Sequence, residues 1–140
     1  MQSVDILILG AGWTSDFLIP LLHEKNIQFS ATSRDGSPRS GQNTISFTFD
    51  PDSDDSTPFN ALPDAVTLLI TFPIYKSGAS EKLVRFWQAT HKGSSAAFIQ
   101  LGSTGIWNVS HRLFGALFHV SWEVGGCVST GSSDLIASPS

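Results

Sequence analysis

The sequence predicts an α/β fold built on a doubly wound parallel sheet with strand order 3-2-1-4-5. Short apolar runs alternate along the chain with stretches that have helical periodicity, the pattern of successive strand–helix–strand units. The run at residues 65–71 is apolar throughout, as in a strand covered on both faces. A glycine-rich turn joins the first run to the first helix. Right-handed crossovers between such units give a parallel sheet.

The first strand, Val4–Leu9, leads directly into Gly10-Ala11-Gly12-Trp13-Thr14-Ser15. In a strand–turn–helix context the first glycine permits a tight turn, and the second lets the backbone approach a pyrophosphate. The amides and dipole at the helix start then face the phosphate charge. Small Ser15 at the third glycine position allows close helix–strand packing. This moderately specific motif predicts dinucleotide binding at Gly10, Ala11, Gly12, Trp13 and Thr14, with Trp13 either covering the pyrophosphate or simply packing.

The first helix is predicted at residues 13–25 and the second strand at residues 27–32. Pro20 removes one backbone donor and is expected to kink this helix. The i, i+4 spacing predicts that the helix packs on the sheet through Phe17, Leu18, Leu21 and Leu22.

A third strand is predicted at residues 44–49, between polar loops at 34–43 and 50–58, and a fourth at residues 65–71. The second helix is expected at residues 80–91, capped by Ser77 or Ser80, and the fifth strand at residues 96–101. The predicted buried face of the second helix comprises Leu83, Val84, Phe86 and Trp87.

The C-terminal part of the chain has a different character. Residues 113–124 are apolar over about half the length of a membrane span. We expect them to form a helix that covers the open sheet, or alternatively a docking surface for a protein partner. Residues 125–140 are rich in Gly and Ser without periodicity and are expected to be disordered. The predicted organisation is therefore a domain at residues 1–124 followed by a tail at 125–140.

Composition excludes several classes of function. Charged residues make up 14% of the chain, the net charge is −4, and no Lys/Arg cluster exists, which argues against nucleic-acid binding. The single cysteine, Cys127, allows no internal disulfide and suits a reducing compartment. The first apolar run is short and lacks a preceding basic region. We therefore expect a cytoplasmic protein without a membrane partner, and the scattered histidines predict no metal site.

The end of the second strand bears on the choice of cofactor. The position where an acidic residue would bind a ribose is occupied by Ser33, and Arg34 follows. A hydroxyl and a guanidinium fork suit a 2′-phosphate, which favours NADP over NAD. Alternatively, Arg34 is a solvated loop residue, and Asp35 binds the ribose of NAD. Asp50 is either near the adenine or an ordinary loop residue, and Thr71, Phe72 and Pro73 are expected to line the crevice at the strand ends.

Three segments together resemble the atypical extended short-chain dehydrogenase/reductases, including the NAD-dependent epimerase/dehydratase-like proteins. These segments are Gly10-Ala11-Gly12-Trp13, Thr32-Ser33-Arg34 and Gly102-Ser103-Thr104-Gly105-Ile106-Trp107. The resemblance covers residues 4–108 and implies a Rossmann-like, NAD(P)-binding domain. It also implies that Ser103 is a catalytic residue that hydrogen-bonds a substrate carbonyl or hydroxyl, while a Tyr-x-x-x-Lys pair transfers the proton.

That Tyr-x-x-x-Lys pair is absent from this sequence. The only tyrosine is Tyr75, and the last lysine is Lys92, so no such pair follows Ser103. We therefore expect a truncated, catalytically impaired NAD(P)-binding domain that lacks the C-terminal substrate portion. The alternative is a non-catalytic module that senses NADP(H) or binds another protein.

Overall fold

The computed structural model describes residues 3–101, which form five strands, two α-helices and one 3₁₀ helix. In chain order the elements are β1 (Val4–Leu9), α1 (Trp13–Glu24), β2 (Phe29–Ser33), β3 (Ile45–Ser46), the 3₁₀ helix (Thr57–Ala61), β4 (Ala65–Ile70), α2 (Ala79–Thr90) and β5 (Ala97–Gln100). All strand pairs are parallel, and the order across the sheet is β3-β2-β1-β4-β5. The predicted doubly wound α/β fold and its strand order are confirmed.

The strand order changes direction at β1, which lies between β2 and β4. Ile8 pairs with Ala31 on β2 and with Leu69 on β4. The chain moves from β1 through β2 to β3 in one direction, and from β4 to β5 in the other. The carboxyl ends of β1 and β4 therefore flank a topological switch point, where open α/β sheets place their ligands.

Apolar clusters pack on the two faces of the sheet. The smaller cluster joins Ile19 and Leu22 of α1 to Ile8 and Ala31 of the sheet. The larger cluster includes the side chains of β1, β4 and β5 that face α2, together with Phe59 of the 3₁₀ helix. Its largest fully buried side chains include Phe59, Leu7, Leu9, Leu62, Leu68, Leu83 and Trp87.

The predicted buried face of α1 was partly wrong. The residues buried against the sheet are Ser15, Ile19 and Leu22, which follow an i, i+4, i+7 spacing. Phe17 and Leu21, expected inside, are 61% and 49% exposed. Apolar residues occupy both sides of this helix, so periodicity alone does not identify the side that meets the sheet.

The structure corrects several element boundaries and caps. The helix α1 ends at Glu24, one residue before the predicted end, and Pro20 lies inside it. The N-cap of α2 is Gly78, with φ 76°, and no side chain caps the helix, so the predicted Ser77 or Ser80 cap was wrong. The strand β3 has only two residues, and the connection after it contains the 3₁₀ helix where a plain loop was expected.

Within residues 3–101, neither helix is long and apolar enough to cross a membrane. The predictions for residues 113–124 and for the tail at 125–140 lie outside the described residues.

Candidate functional site

The turn after β1 is held between the two neighbouring strands. The amide of Gly10 donates to Oγ1 of Thr32 at 3.0 Å, and the amide of Ala11 donates to the Thr32 carbonyl at 2.6 Å. On the other side, the Thr71 hydroxyl lies 3.0 Å from the Leu9 carbonyl oxygen and also contacts the Gly10 carbonyl. The backbone path from strand to helix is therefore fixed from both β2 and β4.

Gly10 is required at this turn for two reasons. Its φ is +94°, a conformation that side chains of L-residues disfavour. A Cβ at Gly10 would stand 2.9 Å from Thr71 Oγ1 and 3.0 Å from the Phe72 ring. The first glycine of the motif thus meets both a dihedral and a packing requirement, as the tight-turn interpretation predicts.

Gly12 keeps the space in front of α1 open. Its backbone is extended, with φ −118° and ψ −151°, and a Cβ there would meet only the Gly10 carbonyl at 4.0 Å. A side chain would therefore be tolerated by the fold but would project beside the helix start. Glycine at this position leaves the backbone accessible to a ligand.

The start of α1 has free backbone donors. Gly12 is the N-cap, and no side chain caps the helix. Among residues 3–101, the amides of Trp13 and Thr14 have no hydrogen-bond acceptor, whereas the Ser15 amide donates to the Gly12 carbonyl. Uncapped amides and the helix dipole carry partial positive charge. This end of α1 can therefore accept an anion such as a phosphate.

Two side chains flank this helix start. Trp13 is 76% exposed and makes an edge contact with Phe17, with ring centroids 5.0 Å apart. Asp16, in the first turn, accepts a hydrogen bond from the Ser40 hydroxyl. Ser40 belongs to the connection between β2 and β3, so this connection reaches α1 close to the turn. The exposed Trp13 is free to contact a ligand, whereas the Asp16 carboxylate opposes an anion.

Ser33 does not present a free hydroxyl at the end of β2. Its side chain is buried, and Oγ lies 2.7 Å from Thr44 Oγ1, 3.2 Å from Asp35 Oδ1 and 3.4 Å from the Ser37 carbonyl. These contacts hold together the two ends of the connection between β2 and β3. Arg34 is exposed, and its guanidinium forms no ion pair with a carboxylate of the described residues. Of the two residues expected to bind a 2′-phosphate, only Arg34 remains free for that role.

Asp35 is a fixed carboxylate at the same strand end. Its Oδ1 accepts hydrogen bonds from the Ser37 hydroxyl at 2.7 Å, the Ser37 amide at 3.1 Å and the Ser33 hydroxyl at 3.2 Å. The Ser37 side-chain and backbone bonds are the main causes that lower the pKa of Asp35 from 3.8 to about 2. Asp35 is therefore ionised at neutral pH, which suits a ribose hydroxyl and opposes a 2′-phosphate.

The ends of β3 and β4 meet through aromatic rings. Phe72 stacks on Phe49 with centroids 6.4 Å apart, and both rings pack partly buried against the larger apolar cluster. Pro73 is exposed beyond them. Asp50 is exposed, and its Oδ1 accepts the amide of Asp52 at 2.9 Å. The described residues thus bring Thr71 and Phe72 to the turn, and Asp50 lies in the loop that follows β3.

Sequence reasoning missed Thr32, the residue that most directly holds the turn. Its signal was a hydroxyl-bearing residue near the end of β2, the strand that pairs with β1 and ends beside the glycine motif. It also missed the hydrogen-bonded cluster formed by Ser33, Asp35, Ser37 and Thr44. The expected catalytic residue Ser103 lies outside the described residues. Within residues 3–101, no group of three or more His, Cys, Asp or Glu side chains could hold a metal ion.

Comparison of the chain with protein-family models, curated proteins and solved structures found no match. The assignment of function therefore depends on the fold and on the geometry of the turn between β1 and α1.

Proposed function

We propose that the protein is an NAD(P)-binding domain similar to those of epimerase/dehydratase or reductase proteins. The observation that carries this proposal is the uncapped start of α1, which follows a clamped glycine turn at the switch point of a parallel sheet. Free amides at Trp13 and Thr14 would bind the pyrophosphate. The open space beside Gly12 would allow the phosphate to approach the backbone.

We further propose NADP as the preferred cofactor, with NAD as the competitor. Arg34 supports NADP because its exposed guanidinium is free to pair with a 2′-phosphate. Asp35 opposes it, but the Oδ1 atom of Asp35 is already engaged by three donors. The balance between one free cation and one engaged carboxylate favours the phosphorylated cofactor.

Binding is tested by titrating the full chain with NADPH and following cofactor and tryptophan fluorescence. The Gly12→Glu variant places a carboxylate beside the helix start, where the fold has room for it, and should abolish saturable binding. The matched control is Gln88→Glu, which adds the same charge on the exposed surface of α2. Absence of a saturable signal in a cooperatively melting native chain, or equal binding by both variants, would refute the proposal.

The absence of a Tyr-x-x-x-Lys pair after Ser103 supports binding without efficient turnover. In this proposal the chain binds NADP(H), and the sequence given holds no Tyr-x-x-x-Lys pair to transfer a proton to or from a substrate. Incubation with NADPH and a panel of small aldehydes, ketones and nucleotide sugars should give no cofactor oxidation above the Gly12→Glu background. Turnover that disappears in Gly12→Glu would show that the chain is an active oxidoreductase.

A further inference from the structure

Considering residues 3–101 alone, one face of the parallel sheet is covered at β1 and uncovered at β5. Ile8, Leu69 and Ile99 are register partners on three neighbouring strands, so their side chains form a row on the same face. Ile8 is fully buried in the cluster that contains α1, Leu69 is partly buried, and Ile99 is 39% exposed. Parallel sheets normally carry apolar layers on both faces. We therefore expect a further apolar element to cover this row over β4 and β5.

The orientation of α1 shows which of its flanks borders this open area. His23 makes an edge contact with Phe29 of β2, and Asp16 bonds to Ser40 in the connection after β2. These two residues share one flank of the helix. Because successive residues advance by about 100° around a helix, Leu21 lies on the opposite flank, toward β4 and β5.

Apolar side chains of α1 and of the sheet border this open area on two sides. Leu18 and Leu21 contribute the helix wall, and Leu69 and Ile99 contribute the sheet wall; these four residues define the β4–β5 groove. Leu18 and Leu69 pack against the same buried cluster, so the two walls are continuous. Phe17 extends the apolar surface along the exposed edge of the helix. An apolar surface of this kind usually has a partner.

Residues 113–124 have the composition and the length to fill the groove. Among these twelve residues only Glu123 is acidic and none is Lys or Arg, and the large apolar side chains include Leu113, Phe114, Leu117 and Phe118. The segment has the same number of residues as α1, which spans 12.

The connection from β5 allows this placement. The chain leaves β5 at Gln100, on the carboxyl edge of the sheet from which α1 also begins. Residues 101–112 can span about 40 Å when extended. The strand β5 lies two strands from β1, a distance of about 10 Å. The segment can therefore reach the groove and run back along it beside α1.

We propose that residues 113–124 of this chain occupy the β4–β5 groove and complete the apolar layer on the α1 face of the sheet. The segment then serves the fold of its own chain and is not a surface for an external protein. The exposed sides of Leu21 and Ile99 become buried in the same event. This inference does not depend on cofactor binding.

The test uses photo-crosslinking in the full chain. Leu21 is replaced by p-benzoylphenylalanine, which keeps an apolar ring at a half-exposed position, and cross-linked peptides are mapped by mass spectrometry. The matched control carries the same probe at His23, on the flank that faces β2. The expected result is a cross-link within one chain from position 21 to a peptide in residues 113–124, absent from position 23 and lost when Phe118→Asp is added.

Three results would overturn the proposal. One is a cross-link between two copies of the chain, which would assign the groove to a second copy. The others are equal capture of residues 113–124 from both flanks, or no capture from position 21 in a cooperatively melting protein. A second probe at Ile99, on the sheet wall, applies the same criteria if the Leu21 variant does not melt cooperatively.

Discussion

The side-chain oxygen of Thr32 accepts the amide of Gly10 at 3.0 Å, and this bond ties the glycine turn to the neighbouring strand. Thr32 is 1% exposed, so the bond is shielded from water. Its hydroxyl oxygen thereby satisfies an amide that the tight turn takes out of the sheet. The relationship explains why a buried threonine occupies the penultimate position of β2.

Replacement of Thr32 by valine keeps the shape of the side chain but removes the acceptor. The amide of Gly10 then loses its partner, which should lower the free energy of unfolding by about 1–3 kcal/mol. Thr71→Val is the comparison, because the Leu9 carbonyl that its hydroxyl contacts also accepts the Thr71 amide at 3.1 Å. We expect Thr71→Val to cost less than Thr32→Val in urea denaturation. The reverse order would contradict the assigned role of Thr32.

Gly10→Ala should be the most destabilising glycine replacement at this site. Alanine would have to adopt φ +94° and place its Cβ 2.9 Å from Thr71 Oγ1, for a cost of about 3 kcal/mol. Gly41→Ala is the matched control, with φ +73° and no atom within 4 Å of the added Cβ. It should cost only the dihedral penalty of about 1 kcal/mol. Equal losses in the two variants would show that the contact with Thr71 contributes nothing.

The strand order could be predicted because the signals are local and redundant. Runs of mainly apolar residues such as Val4–Leu9 specify strands, and glycine at a position that needs φ +94° specifies the turn. Both signals come from neighbouring residues and need no long-range information. The side of α1 that meets the sheet could not be predicted. Phe17 and Leu21 share the apolar character of Ile19 and Leu22, and only the docking of the helix distinguishes them.

Whether a side chain of the site is hydrogen-bonded or free for a ligand depends on contacts between residues far apart in sequence. The sequence places Ser33 at the position of a ribose-binding acid, but its hydroxyl bonds to Thr44, eleven residues later. The proximity of Thr32 to Gly10 spans 22 residues and follows only from the register of β1 and β2. Residue type thus indicated the location of the site, whereas folding decided which groups remain free for a ligand.

The stability of the fold should depend on pH through Asp35, and the lowered pKa of this residue sets the direction of the dependence. Its folded-state pKa of about 2 is below the ordinary value of 3.8, so its ionised form stabilises the fold above pH 4. That contribution is lost as the pH falls from about 4 to 2. NMR titration of the Asp35 carboxyl should give the low pKa in the native chain. Ser37→Ala removes the Ser37 hydroxyl donor and should raise the pKa toward its ordinary value, and an unchanged pKa would contradict this cause.

Of the two histidines within residues 3–101, His91 is predicted to contribute more to stability than His23. Its Nε2 lies 3.0 Å from the Leu62 carbonyl, which can only accept, so Nε2 carries the proton. The ring also stacks on Trp87 with centroids 3.7 Å apart. His91→Ala should therefore lower the free energy of unfolding by about 2–4 kcal/mol. His23→Ala, at an exposed ring with one edge contact, should cost less than about 1 kcal/mol; comparable losses would refute the assignment.

The charges that follow β2 should set the preference between the two cofactors. Arg34→Ala removes the exposed guanidinium and should raise the Kd for NADPH by about 10- to 150-fold, because a charge-assisted contact contributes about 1.5–3 kcal/mol. The Kd for NADH should not change, since NADH lacks the 2′-phosphate. Asp35→Asn should tighten NADPH binding by removing the nearby negative charge. Arg39→Ala, at another exposed arginine of the same connection, is the control and should leave the ratio of the two Kd values unaltered. Equal weakening of NADPH and NADH by Arg34→Ala would mean that Arg34 does not contact the 2′-phosphate.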